Sequence, residues 1–183
     1  MERILVVCTA NQCRSPVAGA ILQHFAGQRR REVEVRSAGF MEGGVAPPSE
    51  IVELGSTFGL ELAEHRSQQV TAELVEGSSL VVGMTRRHVR ELAIAYPGSW
   101  PRSFTIRELV RRGREVGGLG PDGELAAWAA SMHEGRHTAD LLGAAEVDDV
   151  ADPMGGSWED FEEMGRTLWG LAHGLADLIW PAR

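Results

Sequence analysis

The sequence predicts an α/β fold: a three-layer sandwich with a four-stranded parallel sheet flanked by helices and an anion-binding loop after the first strand. Three observations predict it. Short runs rich in β-branched residues alternate with stretches of helical periodicity. The first run stops at a polar, cysteine-containing loop that leads directly into a helix start. The chain closes on a stretch whose apolar residues recur at spacings of three and four.

Taken in order, Ile4–Val7 reads as the first strand, ending at Cys8. Ser15-Pro16 opens a helix, because serine caps and proline suits the first turn. Val17, Ile21, Leu22 and Phe25 are its apolar stripe. Val33–Ser37 is the second strand, closed by Ala38-Gly39. Pro47-Pro48-Ser49 starts a helix that turns Ile51, Leu54 and Phe58 to one side. Leu80–Met84 is the third strand, Arg87–Tyr96 the helix after it, and Phe104–Ile106 the fourth strand. Residues 107–147 read as less regular, a Gly/Pro-rich break followed by one or two alanine-rich helices. Trp158, Phe161, Met164, Leu168, Leu171, Leu175 and Leu178 mark a long amphipathic helix opened by Gly155-Gly156-Ser157.

At 183 residues the chain suits one domain, 1–183, with an insertion at about 107–147. Its net charge of −8 argues against a nucleic-acid or anionic-membrane partner, both of which need a basic face. No apolar run is long enough to span a bilayer. The N-terminus turns polar too early for a signal peptide. Two cysteines are too few for a stapled secreted scaffold, so the expected compartment is the reducing cytoplasm.

The chemistry concentrates in Cys8-Thr9-Ala10-Asn11-Gln12-Cys13-Arg14-Ser15. A loop between a parallel strand and a helix N-terminus points its backbone N–H groups inward, and the helix dipole adds positive charge. Thr9, Ala10, Asn11, Gln12, Cys13 and Ser15 would thus cradle a tetrahedral dianion such as a phosphoryl group. Arg14 would grip two of its oxygens through the guanidinium fork. Cys8 sits inside this electropositive nest, which favours its thiolate and makes it a nucleophile in line with phosphorus. Ser15 would donate a hydrogen bond to the departing sulfur. The leaving oxygen needs a proton, and Asp152, braced by Pro153, is the candidate acid. Asp148 and Asp149 lack that brace.

At these residues the chain resembles the low-molecular-weight protein tyrosine phosphatases. The family pattern Val-Cys-x-x-Asn-x-Cys-Arg-Ser-Pro is met by Val7 through Pro16. Ser37-Ala38-Gly39, His65-Arg66, Leu80–Met84 and Asp152-Pro153 match further, so the resemblance covers residues 3–106 and 148–180. It implies a cysteine-dependent phosphatase acting on a phosphorylated protein or peptide, phosphotyrosine foremost, and releasing inorganic phosphate. A phosphocysteine would form on Cys8, with Asp152 as general acid and then base, and with no metal or organic cofactor. Asn11, Ser15, Ser37 and His65 would hold the loop in its strained shape. Cys13 would lie close to Cys8, either as a partner in a protective reversible disulfide or as a small packed side chain.

Three features depart from the pattern. Met154-Gly155-Gly156 replaces the tyrosine pair of eukaryotic members, and Tyr96 is the sole tyrosine. Asp-Pro-x-Gly-Gly resembles the bacterial branch that includes protein arginine phosphatases, yet Gln12 stands where that branch has threonine. Phe40, Met41 and Met154 are candidate pocket walls. Residues 107–147 exceed the usual family length, and would fold over the site or bind a partner.

Other readings carry less. An arsenate reductase of this fold needs further cysteines. His133-Glu134-Gly135-Arg136-His137 matches a zinc-hydrolase pattern, but Gly135 weakens the helix and Arg136 brings positive charge to a cation site. A binding module that only docks phosphate would not need Cys8, Arg14 and Asp152 together.

Overall fold

Strand β1 (Glu2–Cys8) forms the centre of the sheet, and a computed structural model describes residues 1–120, 123–143 and 145–181 around it. β1 pairs in parallel with β2 (Val33–Gly39) on one side and with β3 (Leu80–Gly83) on the other. β4 (Ser103–Thr105) pairs in parallel with β3, giving the order β2-β1-β3-β4. Ile4 to Val7 are wholly buried, as a strand covered on both faces must be. Side chains alternate across the sheet. Ile4, Val6 and Cys8 enter one core, and Leu5 and Val7 enter the other.

The first core is closed by α1 (Arg14–Gln28), α2 (Ser49–Thr57), α5 (Ile106–Val116), α6 (Leu125–His133) and α7 (Trp158–Ile179). The second is closed by α3 (Ala72–Glu76) and α4 (Arg86–Ala95). Three layers result. From β1 the chain crosses first to β2 and then back past β1 to β3. The strand order therefore reverses beside β1, and a ligand crevice is expected at the carboxyl end of that strand. No helix among the described residues is long and apolar enough to cross a membrane.

Several local expectations are corrected. The N-cap of α1 is Cys13, with no side-chain cap, because Ser15 lies inside the first turn and turns its hydroxyl to Cys8. β4 ends at Thr105, whose hydroxyl accepts the Glu108 N–H and caps α5 at 3.0 Å. α5 replaces the irregular start read for residues 107–116: Ile106, Leu109, Val110 and Gly113 form a helical stripe against α7. A Cβ at Gly113 would lie 2.7 Å from Leu178 Cδ1, so a methyl group there would require the leucine side chain to shift.

Among the described residues of 107–147, α6 lies away from the loop after β1, whereas Leu141 returns to α4, where its carbonyl accepts from Arg90 Nη1 at 2.7 Å. The first N–H of α6, at Leu125, bonds Glu2 Oε1 at 2.7 Å, at the opposite end of β1. His133 is the last residue of α6, and Gly135 turns the chain at φ +74°. Arg136 then folds inward, bonded to Glu108 at 2.7 Å and to the Ser103 carbonyl at 2.8 Å. Its guanidinium lies 3.9 Å from the Trp100 ring centre and 4.0 Å from that of Phe104. His133 and His137 therefore share no helical face. No cluster of three metal-ligating side chains occurs among the described residues.

Candidate active site

Cys8 is the last residue of β1 and is nearly buried. The loop after it reverses direction at Asn11, whose φ of +55° is tolerated by asparagine better than by branched residues. Asn11 is fully buried and saturated with partners. Its Nδ2 donates to Ser15 Oγ at 2.9 Å and to Ser37 Oγ at 2.8 Å. Its Oδ1 accepts the Gln68 N–H at 2.9 Å. Its carbonyl accepts from His65 Nε2 at 2.8 Å, which assigns the ring proton to that nitrogen. Ser15 Oγ accepts from Asn11 and lies 3.0 Å from Cys8 Sγ, with the Ala38 carbonyl 3.4 Å away as a second acceptor for its proton. The four residues expected to support the loop thus form one connected network.

The Thr9 carbonyl accepts from Phe40 N at 2.7 Å and from Met41 N at 3.2 Å. Gly39 makes this close approach possible. A Cβ there would stand 2.7 Å from Asn11 N and from Thr9 O. Among the described residues, no protein acceptor meets the backbone N–H of any residue from Thr9 to Ser15. Those amides are left for a ligand.

Arg14, the first residue of α1, is also nearly buried. Its Nη1 donates to the Val150 carbonyl at 3.2 Å and its Nη2 to Asp152 Oδ2 at 2.5 Å. The Asp152 side chain is 44% exposed, and its Oδ1 accepts the Met154 N–H at 3.3 Å. Asp148 and Asp149 are committed elsewhere. Asp148 binds Arg86 and Arg111, and Asp149 accepts the Arg86 N–H at 2.7 Å. Burial alone would raise the Asp148 pKa, but hydrogen bonds from Arg111 and Arg86 outweigh it and hold the carboxyl below its ordinary range.

A cleft of about 100 Å³ is lined by Cys8, Thr9, Ala10, Gln12, Cys13 and Arg14 on one side and by Asp152 and Met154 on the other. Of the three candidate pocket walls, Met154 lines this cleft, and Phe40 and Met41 are outside its lining. Phe40 stacks on the His88 ring at 6.0 Å, and Met41 is 55% exposed. Both cysteines are free thiols, and Cys13 Sγ donates to Met154 Sδ at 3.1 Å. Burial, then the charges of Asp152 and Cys8, push the Cys13 thiol up to about 12.

The sequence reading missed His88. This buried residue of α4 bridges Thr9 Oγ1 and Thr85 Oγ1, each at 3.0 Å. Burial, followed by the charges of Arg14 and Arg87, lowers its pKa to about 3, so the ring is neutral. Only the sheet brings it to Thr9 across 79 positions, and no local motif announces that.

The chain is similar to known proteins. The sequence model described as low molecular weight phosphotyrosine protein phosphatase matches residues 3–116. The chain is 37% identical over 111 residues to a probable low molecular weight protein-tyrosine-phosphatase, EpsP, of Ralstonia solanacearum, covering 60% of this chain and 73% of that one. It is 36% identical over 110 residues to a protein-arginine-phosphatase of Bacillus subtilis, covering 58% and 71%. Its fold superposes with a TM-score of 0.71, at 29% identity and covering 97% and 94% of the chains, on a variant of the YwlE arginine phosphatase whose active-site serine is phosphorylated.

Proposed function

Because the chain belongs to the low molecular weight phosphotyrosine protein phosphatase family, we propose that it hydrolyses phosphotyrosine in phosphorylated proteins through a phosphocysteine on Cys8. The observation that carries this reading is the sulfur of Cys8 at the mouth of a ring of unengaged amides, with Arg14 beside it. The phosphoryl dianion binds the amides from Thr9 to Ser15 and draws Arg14 from Asp152 into a two-oxygen grip. The Cys8 thiolate attacks phosphorus, the bond to the phenolic oxygen breaks, and Asp152 gives that oxygen a proton. Water then attacks the phosphocysteine, passes a proton to Asp152, and the P–S bond breaks to release phosphate. Ser15 stabilises the departing thiolate, from 3.0 Å. No step calls for a metal or organic cofactor.

A second reading, a protein arginine phosphatase using the same site on a P–N bond, is favoured by Met154 at the cleft, where no tyrosine stands. Similarity to the Bacillus subtilis protein-arginine-phosphatase supports it too. In either case residues 1–183 act as one domain with an insertion, in the cytoplasm, where a nucleophilic thiol stays reduced.

The test is hydrolysis of p-nitrophenyl phosphate by the wild type and by Cys8→Ser, each with and without a chelator. The expected result is turnover by the wild type, none by Cys8→Ser, and no chelator effect. Substantial activity in Cys8→Ser would overturn the mechanism. Asp152→Asn should slow phosphoenzyme formation more with poor leaving groups than with good ones. Equal losses for both would remove Asp152 from the acid role.

A further inference from the structure

A second, larger pocket of about 390 Å³ adjoins the catalytic cleft and shares Asp152 and Met154 with it. It lies between the start of α5 and the first turns of α7, behind the loop that carries Asp152. Its charged lining is lopsided. Asp152, Asp160 and Glu163 face it, against the single cation Arg107, which is tied by its Nε to the Asp149 carbonyl at 3.1 Å. Asp160 Oδ2 is used by the N-cap of α7, where it receives Ser157 N and Oγ. A first-turn carboxylate such as Asp160 is explained by the helix dipole alone. Glu163 is not. It sits in the second turn, is exposed, and makes neither a hydrogen bond nor an ion pair among the described residues. The apolar part of the lining includes Met164 and Pro153.

We propose that this pocket is a substrate subsite that takes a lysine or arginine side chain flanking the phosphorylated residue. The inference rests on the phosphoprotein reading given above. A phosphorylated side chain that enters the cleft brings its chain neighbours over Asp152 and Met154, the rim common to both cavities. A long basic side chain can lay its aliphatic stem along Met164 and Pro153 and its charge between Asp160 and Glu163. An acidic flank would meet the carboxylates of Asp160 and Glu163 there.

The probes are three phosphotyrosine peptides that carry arginine, alanine or glutamate on both sides of the phosphoresidue. Affinity is read with Cys8→Ser, which needs no turnover. p-Nitrophenyl phosphate, which has no flanks, reports wild-type catalysis separately. The arginine peptide should bind about five times more tightly than the glutamate peptide at low salt, with the gap shrinking as salt rises. Glu163→Lys, in the same Cys8→Ser background, should reverse the order. In the wild-type background it should leave p-nitrophenyl phosphate turnover unchanged. Equal affinities for the three peptides, or an order that survives Glu163→Lys, would overturn the subsite even if the aryl phosphate is hydrolysed. Charge-dependent peptide binding without aryl phosphate turnover would instead retain the subsite and reject the phosphatase mechanism.

Discussion

His88 shows how much one side chain can hold at the residue scale. It is a buried imidazole with both ring nitrogens bonded to hydroxyls, one of them on the loop that flanks Cys8. In the unfolded chain it takes up a proton below about 6.5. In the native state it stays neutral down to about 3. The native state therefore loses stability as pH falls from 6.5 towards 3, by up to about 1.4 kcal/mol per pH unit. His88→Asn should remove that slope. Urea midpoints at pH 7 and pH 5 should lie closer together in the variant, and an unchanged gap would assign the slope to other groups. The proposed catalytic residues Cys8, Arg14 and Asp152 were legible because short motifs announce them. His88 was not, because its partner is close only in the folded sheet.

At the scale of elements, the sheet was readable from its β-branched runs, and α7 from its spacing. α5 was hidden by the glycines that follow it, although Ile106, Leu109 and Val110 already had helical spacing. The limit of β4 was set by Thr105, which a strand pattern accepts but which here ends the strand by capping a helix. Phe40 and Met41 follow the place where the end of β2 meets the loop backbone to backbone. That contact is narrow enough to test. Gly39→Ala would press a methyl group against Asn11 N, Thr9 O and Ala10 C, all within 2.8 Å and all main chain. Such overpacking costs about 1–3 kcal/mol. We expect a lower thermal midpoint and a fall in kcat of at least about tenfold, since roughly 1.4 kcal/mol in a barrier is tenfold in rate. Retention of both would show that β2 yields and the loop does not depend on it.

At the scale of the whole molecule, the loop after β1 and α6 lie at opposite ends of β1, while Leu141 and Asp148 return to α4 and α5. The loop after β1 gathers the reactive groups at the carboxyl end, while α6 docks on Glu2 at the other. Arg136 staples the segment after α6 to α5 through Glu108, both largely buried. Arg136→Met should leave Glu108 without its cation and cost about 3–5 kcal/mol, the usual penalty for breaking a buried pair. Turnover measured well below the new melting temperature should be unchanged. A matching loss of kcat would mean that the insertion is coupled to the cleft after all. The sequence showed that this segment was long, but its place depends on ring faces and carbonyls that no linear pattern encodes.

The bond between Arg14 and Asp152 has one further consequence. An empty cleft holds its own competing anion, tethered at high effective concentration. A monoanion that reaches Arg14 exchanges one negative charge for another and gains little. A dianion brings a second charge for the amides to take, and displaces the carboxylate in doing so. On the proposed mechanism the cleft therefore filters by valence: chloride should leave the Arg14–Asp152 pair closed, and a phosphoryl dianion should open it.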